Sequence, residues 1–480
     1  PGMLMSIFTT AGVAEWGLRG VPTIPDGMPV LIDDDLLFED DGVPRPSVYA
    51  NRWLRDLPIE KATSPNTWTT YARVLRDWME FLAGCGYHPF DGRDRLRSAL
   101  SEYAIYRRNG SLGTRFANST WNLHISVLTR FYEWACDERL VEATPFTFSR
   151  RMRWSEGHPV EFQRNNAKLP VPKAHSTIRY LESDFVDLLL NALGGEVAGG
   201  SEDKHFRGRH PLRNSSFVRA VIATGLRRRE FTYLLVYEIP ALPPQPTLVP
   251  IRFPVPHRLA KGSKPRTTWI DHSALEHLHT YIELERNALQ RRGWDKDIPR
   301  KELLHVEEPD PHGALIDGQR RSWSSLRQEE RLRLVSPEGF CCILALQSDG
   351  SPFQSWPSVL TRASRRIRRD FDPRFPDVSP HMLRHTFAMR TLERLVDGYF
   401  RSAAALVTAT DADAALEFYL HKHDPLAILR DLLGHSSVTT TETYLRRLDV
   451  TRVYRSAYEN AGLASGLFEM DCEGYTLGDD

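Results

Sequence analysis

A mainly α architecture in more than one domain is expected for this chain. Amphipathic helical runs fill much of residues 64–146, a polar, proline-containing stretch interrupts them at 147–180, and a β-like segment at 248–259 lies among further helical runs. At 480 residues there is room for two or three domains, each able to bury a core.

Residues 1–47 place Asp33-Asp34-Asp35 and Glu39-Asp40-Asp41 around a few apolar residues with no sustained period, and read as an acidic N-terminal arm. The pattern changes at Ser64, a capping residue followed by Pro65 at the first helical position. Trp68, Tyr71, Leu75, Trp78, Met79 and Leu82 then recur at helical spacing before Gly84. A second helix is centred on Leu96, Leu100, Tyr103 and Ala104, and a third on Trp121, Ile125, Leu128, Tyr132 and Ala135. Short loops between them imply a small helical bundle over 48–146. Trp68, Trp78, Trp121 and Trp134 read as core anchors rather than base-stacking platforms.

Residues 147–180 carry Arg150, Arg151, Arg153, Arg164, Lys168, Lys173 and Arg179 with Pro170 and Pro172, and read as a basic interdomain linker. Arg150, Arg151 and Arg153 are candidates for binding a phosphate-bearing polyanion, since such charges neutralise phosphates without reading sequence. A second domain, 181–448, opens with Phe185, Val186, Leu189 and Leu190 at helical spacing. Its β-like segment, Leu248 to Leu259, holds Pro254 and Pro256, which mark an edge strand or bulge. Residues 290–335 look like an insertion rich in charge and turns. Near the end, Asp424-Pro425 reads as cap and first helical residue, Leu426, Leu429, Leu432 and Leu433 as the buried stripe, and Gly434 as the C-cap. Residues 449–480 are expected to form a short amphipathic helix followed by an acidic tail.

Lys+Arg and Asp+Glu are equal at 62 each, but the balance is uneven. Residues 1–47 hold eight acids and two bases, 466–480 hold five acids and no base, and 48–465 carry a net of +11. A basic body with acidic ends suits a polyanionic partner. Five cysteines without C-x-x-C spacing fit neither a disulfide framework nor a zinc site, and Cys341-Cys342, opening an apolar run, read as core. No apolar stretch of spanning length and no signal-peptide pattern is found, so a cytoplasmic protein with no membrane partner is expected.

Four motifs stand in order along the chain. They are Thr224-Gly225-Leu226-Arg227-Arg228-Arg229-Glu230, Lys261-Gly262-Ser263-Lys264-Pro265-Arg266, His381-Met382-Leu383-Arg384, and Leu432-Leu433-Gly434-His435, with Tyr444 nine positions after the last histidine. In that order they resemble the tyrosine recombinases, the phage integrase family. The resemblance implies a helical core-binding (SAM-like) domain followed by a mixed α+β catalytic domain with a small antiparallel sheet. It also implies cutting and rejoining of double-stranded DNA through a 3′-phosphotyrosyl bond, without metal or other cofactor.

In that chemistry Tyr444 is the nucleophile, and Arg227 and Arg384 grip the non-bridging oxygens with a fork that matches phosphate. Lys261, with Lys264 as fallback, is the candidate acid for the leaving 5′-oxygen. His381 accepts or relays the tyrosine proton, and His435 hydrogen-bonds the phosphate. Glu230 orients a neighbour rather than reacting. His381 and His385 sit at i and i+4, yet the sequence lacks a zincin's glutamate, and the Arg384 cation between them opposes a metal.

The resemblance further implies a recombinase or integrase of a mobile genetic element, working as a homo-tetramer on two DNA sites with accessory directionality factors as further partners. A type IB topoisomerase and a non-catalytic DNA-binding accessory protein are the alternatives. Two departures stand out: Arg228-Arg229 replace the usual aliphatic-small pair, and the 51-residue step from Arg384 to His435 is about twice what the family pattern implies.

Overall fold

The computed structural model describes residues 2–7, 24–25, 27–59, 64–155, 158–170, 179–197, 199–260, 265–296, 298–409 and 425–433. The chain divides into two compact units, Pro1–His175 and Ser176–Asp480. Among the described residues, no helix is long and apolar enough to cross a membrane.

The first unit is a helical bundle with strands on its edge. Strands β1 (Met3–Ile7) and β2 (Pro29–Asp33) pair antiparallel, with Met5 opposite Leu31, and a second short ladder joins β3 (Glu39–Asp40) to β4 (Val43–Pro44). The segment expected to be an arm therefore supplies core: Met3, Met28 and Leu31 are buried, while Asp34, Asp35 and Glu39 to Asp41 stay exposed at the ends of these short strands. Asn51 fixes the placement, accepting from the Leu31 N–H at 2.8 Å and donating to the Leu31 carbonyl at 2.7 Å.

Helices α1 (Pro46–Asp56), α2 (Pro65–Cys85), α3 (Arg93–Ala104) and α4 (Asn118–Asp137) follow. Proline opens α1 and α2, where its missing N–H costs nothing. The second helix runs just past Gly84 and stops at Gly86, whose φ of 75° favours glycine. Trp68, Trp78, Trp121 and Trp134 are all buried, as their periodicity requires. The Trp78 Nε1–H donates to the Tyr132 hydroxyl at 3.0 Å, which donates onward to the Pro89 carbonyl.

Beyond α4 the stretch read as a linker holds an eight-residue antiparallel ribbon, β5 (Phe148–Ser155) with β6 (His158–Asn165). Its base is tied to α4: Asn165 Nδ2 donates to Thr129 Oγ1, Trp121 Nε1 to the Ala167 carbonyl, and Asn122 bonds both backbone groups of Leu169.

The second unit opens with α5 (Ser183–Gly194), α6 (Pro211–Thr224) and α7 (Arg228–Thr232). A two-stranded antiparallel sheet follows, β7 (Ile251–Val255) with β8 (Arg266–Ile270), and Pro254 sits opposite Thr267. Next comes α8 (His272–Thr280), continued through a π-helical stretch at Tyr281–Arg286 into α9 (Asn287–Leu289). The end of the described chain is built from α11 (Trp356–Asp370), α12 (Pro380–Ala409) and α13 (Pro425–Leu433), between which and α9 lie β9 to β12 and α10. The sixth helix packs on α5, α8 and α12, and Phe217 stacks on Trp356 at 4.7 Å in the main core.

The apparent insertion has its own architecture. Strands β9 (Leu304–Glu307), β10 (Gly313–Ile316), β11 (Gln319–Ser322) and β12 (Leu334–Val335), with α10 (Gln328–Arg331) between the last two, form a sheet of order β11-β10-β9-β12. Its β9–β12 pair is parallel, and this sheet is separate from the expected small antiparallel sheet, which is β7 with β8. Val306, Ile316, Trp323 and Leu346 form a separate core here, with Tyr237 stacked on Trp323 at 5.2 Å. Cys341 and Cys342 are buried in it, and burial pushes the Cys341 thiol up to about 12 and Cys342 upward as well. Both pack as small apolar groups.

Candidate active site

The site begins at a glycine. The sixth helix ends at Gly225 with φ of 65°, its N–H donating to the Val221 carbonyl at 2.8 Å, and Leu226 buries directly after. Arg227 is thereby delivered as the N-cap of α7. Glu230, three residues on, accepts the Arg227 backbone N–H at 2.7 Å and its Nη1 at 3.0 Å, closing the helix start from the acidic side. Glu230 is fully buried, while Arg228 and Arg229 face solvent, so the charged pair does not disturb the packing of the turn.

From the other side come His381 and Arg384, one turn apart at the start of α12. Arg384 is buried, donating from Nη1 to the Gly225 carbonyl and from Nη2 to the Leu433 carbonyl. Arg227 Nη2 reaches the same Leu433 oxygen at 3.2 Å. The oxygen belongs to the last residue of α13, where helix carbonyls lack intrahelical donors. Leu429 and Leu433 bury against Phe387, Met389 and Leu392 of α12, which sets that end in place.

His381 is exposed on the first turn of α12, its ring centroid 4.2 Å from that of His385. Partial burial, then the charges of Arg384 and Arg227, hold its pKa below the ordinary histidine value. Its neutral form is favoured, as a proton acceptor needs. Among the described residues, no group of three or more His, Cys, Asp and Glu gathers as metal ligands would.

Sequence reasoning passed over Arg266. This residue opens β8, which Thr268 ties to the Thr224 carbonyl at 2.7 Å. Its Nη2 donates to Glu230 Oε2 at 2.5 Å and its Nη1 lies 3.4 Å from the Leu433 oxygen. Burial pulls its pKa down and Glu230 pulls it up. In the sequence its only mark was its place at the end of the Lys261 motif; the buried Glu230 that pairs with it emerges only in the fold.

Of the sequence candidates, Arg227, His381 and Arg384 are thus brought to one place. Lys261, Lys264, His435 and Tyr444 lie outside the described residues, as do Asp424, Gly434 and the segment 449–480. Arg150 and Arg151 belong to the first unit, exposed on β5, and Arg153 shares the same ladder opposite Val160. Successive strand residues face opposite sides. Arg150 therefore lies on the face of Glu161, 3.5 Å from its carboxylate, and Arg151 on the face of Arg164 and Phe162.

Residues 50–139 match the family model of the phage integrase N-terminal SAM-like domain. Over 417 residues the chain is 22% identical to tyrosine recombinase XerC of Halalkalibacterium halodurans, covering 86% of this chain and 98% of that protein. Over 405 residues it is 23% identical to tyrosine recombinase XerD of Rhizobium meliloti, covering 84% and 92%. Among solved structures, the Tn1549 transposon integrase in complex with circular intermediate DNA aligns with a TM-score of 0.45 at 15% identity, covering 82% of this chain and 94% of that one.

Proposed function

The chain belongs to the tyrosine recombinase family, and from that premise we propose that it is the site-specific recombinase of a mobile genetic element, acting through a 3′-phosphotyrosyl intermediate. The observation that carries this reading is the meeting of Arg227 and Arg384 on one oxygen acceptor beside the Leu433-Gly434-His435 sequence. Donors that converge on a carbonyl oxygen can converge equally on phosphate oxygens, which as charged acceptors bind guanidinium more strongly.

In the proposed step the Tyr444 oxygen attacks phosphorus, its proton passing to neutral His381. The bond to the 5′-oxygen breaks, and Lys261 supplies the proton that leaves a free 5′-hydroxyl. Arg227, Arg384 and His435 hold the non-bridging oxygens as negative charge accumulates. A 5′-hydroxyl from a second duplex then attacks the phosphotyrosine and restores Tyr444. Two duplexes require a homo-tetramer, and the β5–β6 ribbon, through Arg151 with Arg153 and Arg164, supplies phosphate contacts outside the site. Arg150, matched to Glu161, contributes less.

The test uses wild type and Tyr444→Phe with DNA spanning the boundaries of the element that encodes the chain, in EDTA, followed by denaturation and assay of protein-linked DNA. Adduct from wild type alone is expected. Adduct from Tyr444→Phe removes that residue from its role, and abolition by EDTA overturns the metal-free scheme. Nicking and closing without joining two duplexes would favour the topoisomerase alternative.

A further inference from the structure

The arginines of the site are held by an acid that the reaction itself does not use. Glu230 is fully buried, and its two oxygens accept from three N–H groups: the backbone and Nη1 of Arg227, and Nη2 of Arg266. The Arg266 side chain is only 6% exposed, and its Nη1 points to the Leu433 oxygen that Arg227 and Arg384 share. Its Nε is buried without an acceptor among the described residues.

Charge shows why this matters. Arg227, Arg384 and Arg266 against Glu230 leave a net of two positive charges. Without Arg266 the carboxylate would cancel one of the two phosphate-gripping arginines, leaving one. A phosphodiester carries one negative charge, and the five-coordinate transition state gains a second as tyrosinate adds.

We propose that Arg266 is a positioning residue for strand cleavage: by pairing with Glu230 Oε2, which also accepts the Arg227 backbone N–H, it keeps Arg227 aimed and its charge available to the phosphate. This rests on the recombinase reading. Arg266 acts through Glu230 and Arg227 and needs no contact with DNA.

The experiment is single-turnover formation of protein-linked DNA on a suicide substrate, with DNA affinity measured in parallel, for wild type, Arg266→Met, Arg266→Lys and the double variant Glu230→Gln/Arg266→Met. Arg266→Met is expected to cleave ~10²-fold more slowly, the scale of losing one oxyanion donor, with unchanged DNA affinity. The double variant is expected to recover at least ~10-fold over Arg266→Met, because a neutral amide no longer draws on Arg227. Thermal unfolding of the same four proteins separates a merely structural role, in which cleavage falls and recovers only in step with the melting temperature.

Cleavage by Arg266→Met at the wild-type rate, or a double variant no faster than the single one, overturns the inference. Should Arg266→Met fail to fold, Arg266→Lys decides: it keeps the charge but loses the fork, and is expected to cleave ~10-fold more slowly, with wild-type cleavage overturning the proposal. No adduct from wild type overturns the recombinase reading and this inference with it; wild-type adduct with unaffected Arg266 variants overturns the inference alone.

Discussion

Replacing Gly225 by alanine tests whether the turn that delivers Arg227 is packed as tightly as it looks. At φ of 65° a side chain is strained by ~1–2 kcal/mol, and a Cβ there would stand 2.2 Å from Phe387 Cδ1 and 2.5 Å from Cε1. Phe387 is buried in α12 one turn beyond Arg384, so it has little room to yield. Overpacking adds ~1–3 kcal/mol, for a total of ~2–5 kcal/mol. At roughly 2–4 °C per kcal/mol for a domain of this size, thermal unfolding should fall by ~4–20 °C. Cleavage should fall further than stability does. The Gly225 carbonyl and Phe387 bracket Arg384, and misplacing a phosphate donor by an ångström costs ~10²-fold. Circular dichroism melting and single-turnover cleavage at a temperature where both proteins are folded measure the two effects. Adding Phe387→Leu should return the overpacking part and leave the φ strain. A Gly225→Ala protein that melts and cleaves like wild type refutes the reasoning, and a double variant no better than the single refutes the clash as its cause.

Histidine 124 should make the first unit acid-sensitive. Burial holds its pKa down at about 4, where it bonds the Tyr103 hydroxyl at 2.9 Å, so the folded state binds fewer protons than the unfolded one between pH 6.5 and about 4. Stability is complete above 6.5 and declines below it by up to ~3 kcal/mol, and urea titrations of His124→Asn should lack that decline. On the β5–β6 ribbon, Arg151→Gln with Arg164→Gln should lower the slope of log affinity against log salt by ~1–2, while Arg150→Gln leaves it within error; equal effects from all three contradict the face assignment. If His381 accepts the tyrosine proton, cleavage at subsaturating DNA should stay level down to pH 6.5 and fall only below it, because its pKa is depressed. An acid limb centred above 6.5 excludes it from that role.

Helices α2, α3 and α4 of the first unit were legible because each has enough turns for a 3.6-residue period to declare itself, with Ser64-Pro65 marking a start, whereas the shorter α1 was not read. The site arginines were named from the ordered motifs that carry the resemblance, not from periodicity; the structure adds that His381 and Arg384 lie one turn apart on α12 and that Arg227 follows the glycine at which α6 stops. What stayed hidden depends on pairing over distance. Met3–Ile7 meets Pro29–Asp33, and neither strand is long enough to show alternation against the acids around it. The strands of the insertion are two to four residues each, below any detectable period, and their sheet is held by Trp323 and by residues 341–346 from beyond the segment read as inserted. Arg266 was visible as a letter, but its pairing with a glutamate 36 positions earlier was not.

The excess of arginine, read from sequence as a basic surface, is partly interior. Arg213 donates to the Leu346 carbonyl and lies 3.7 Å over the Phe353 ring. Arg286 holds the carbonyls of Cys341, Ile343 and Leu344, and Arg331 those of Tyr233, Trp323 and Leu326 together with Glu238. In each case one fork ties down irregular backbone that no helix or sheet satisfies. Arg384 makes the same kind of bond to Gly225 and Leu433, so burial and carbonyl partners do not separate the arginines proposed for catalysis from structural ones. The acceptor separates them. Arg286 bonds carbonyls in the middle of a buried segment, whereas Arg384, Arg227 and Arg266 all reach one oxygen, that of Leu433 at the last described residue of α13. In the proposed reaction a phosphate is a stronger acceptor than this neutral carbonyl and draws Arg227 and Arg384 from it, while Arg266 stays paired with Glu230.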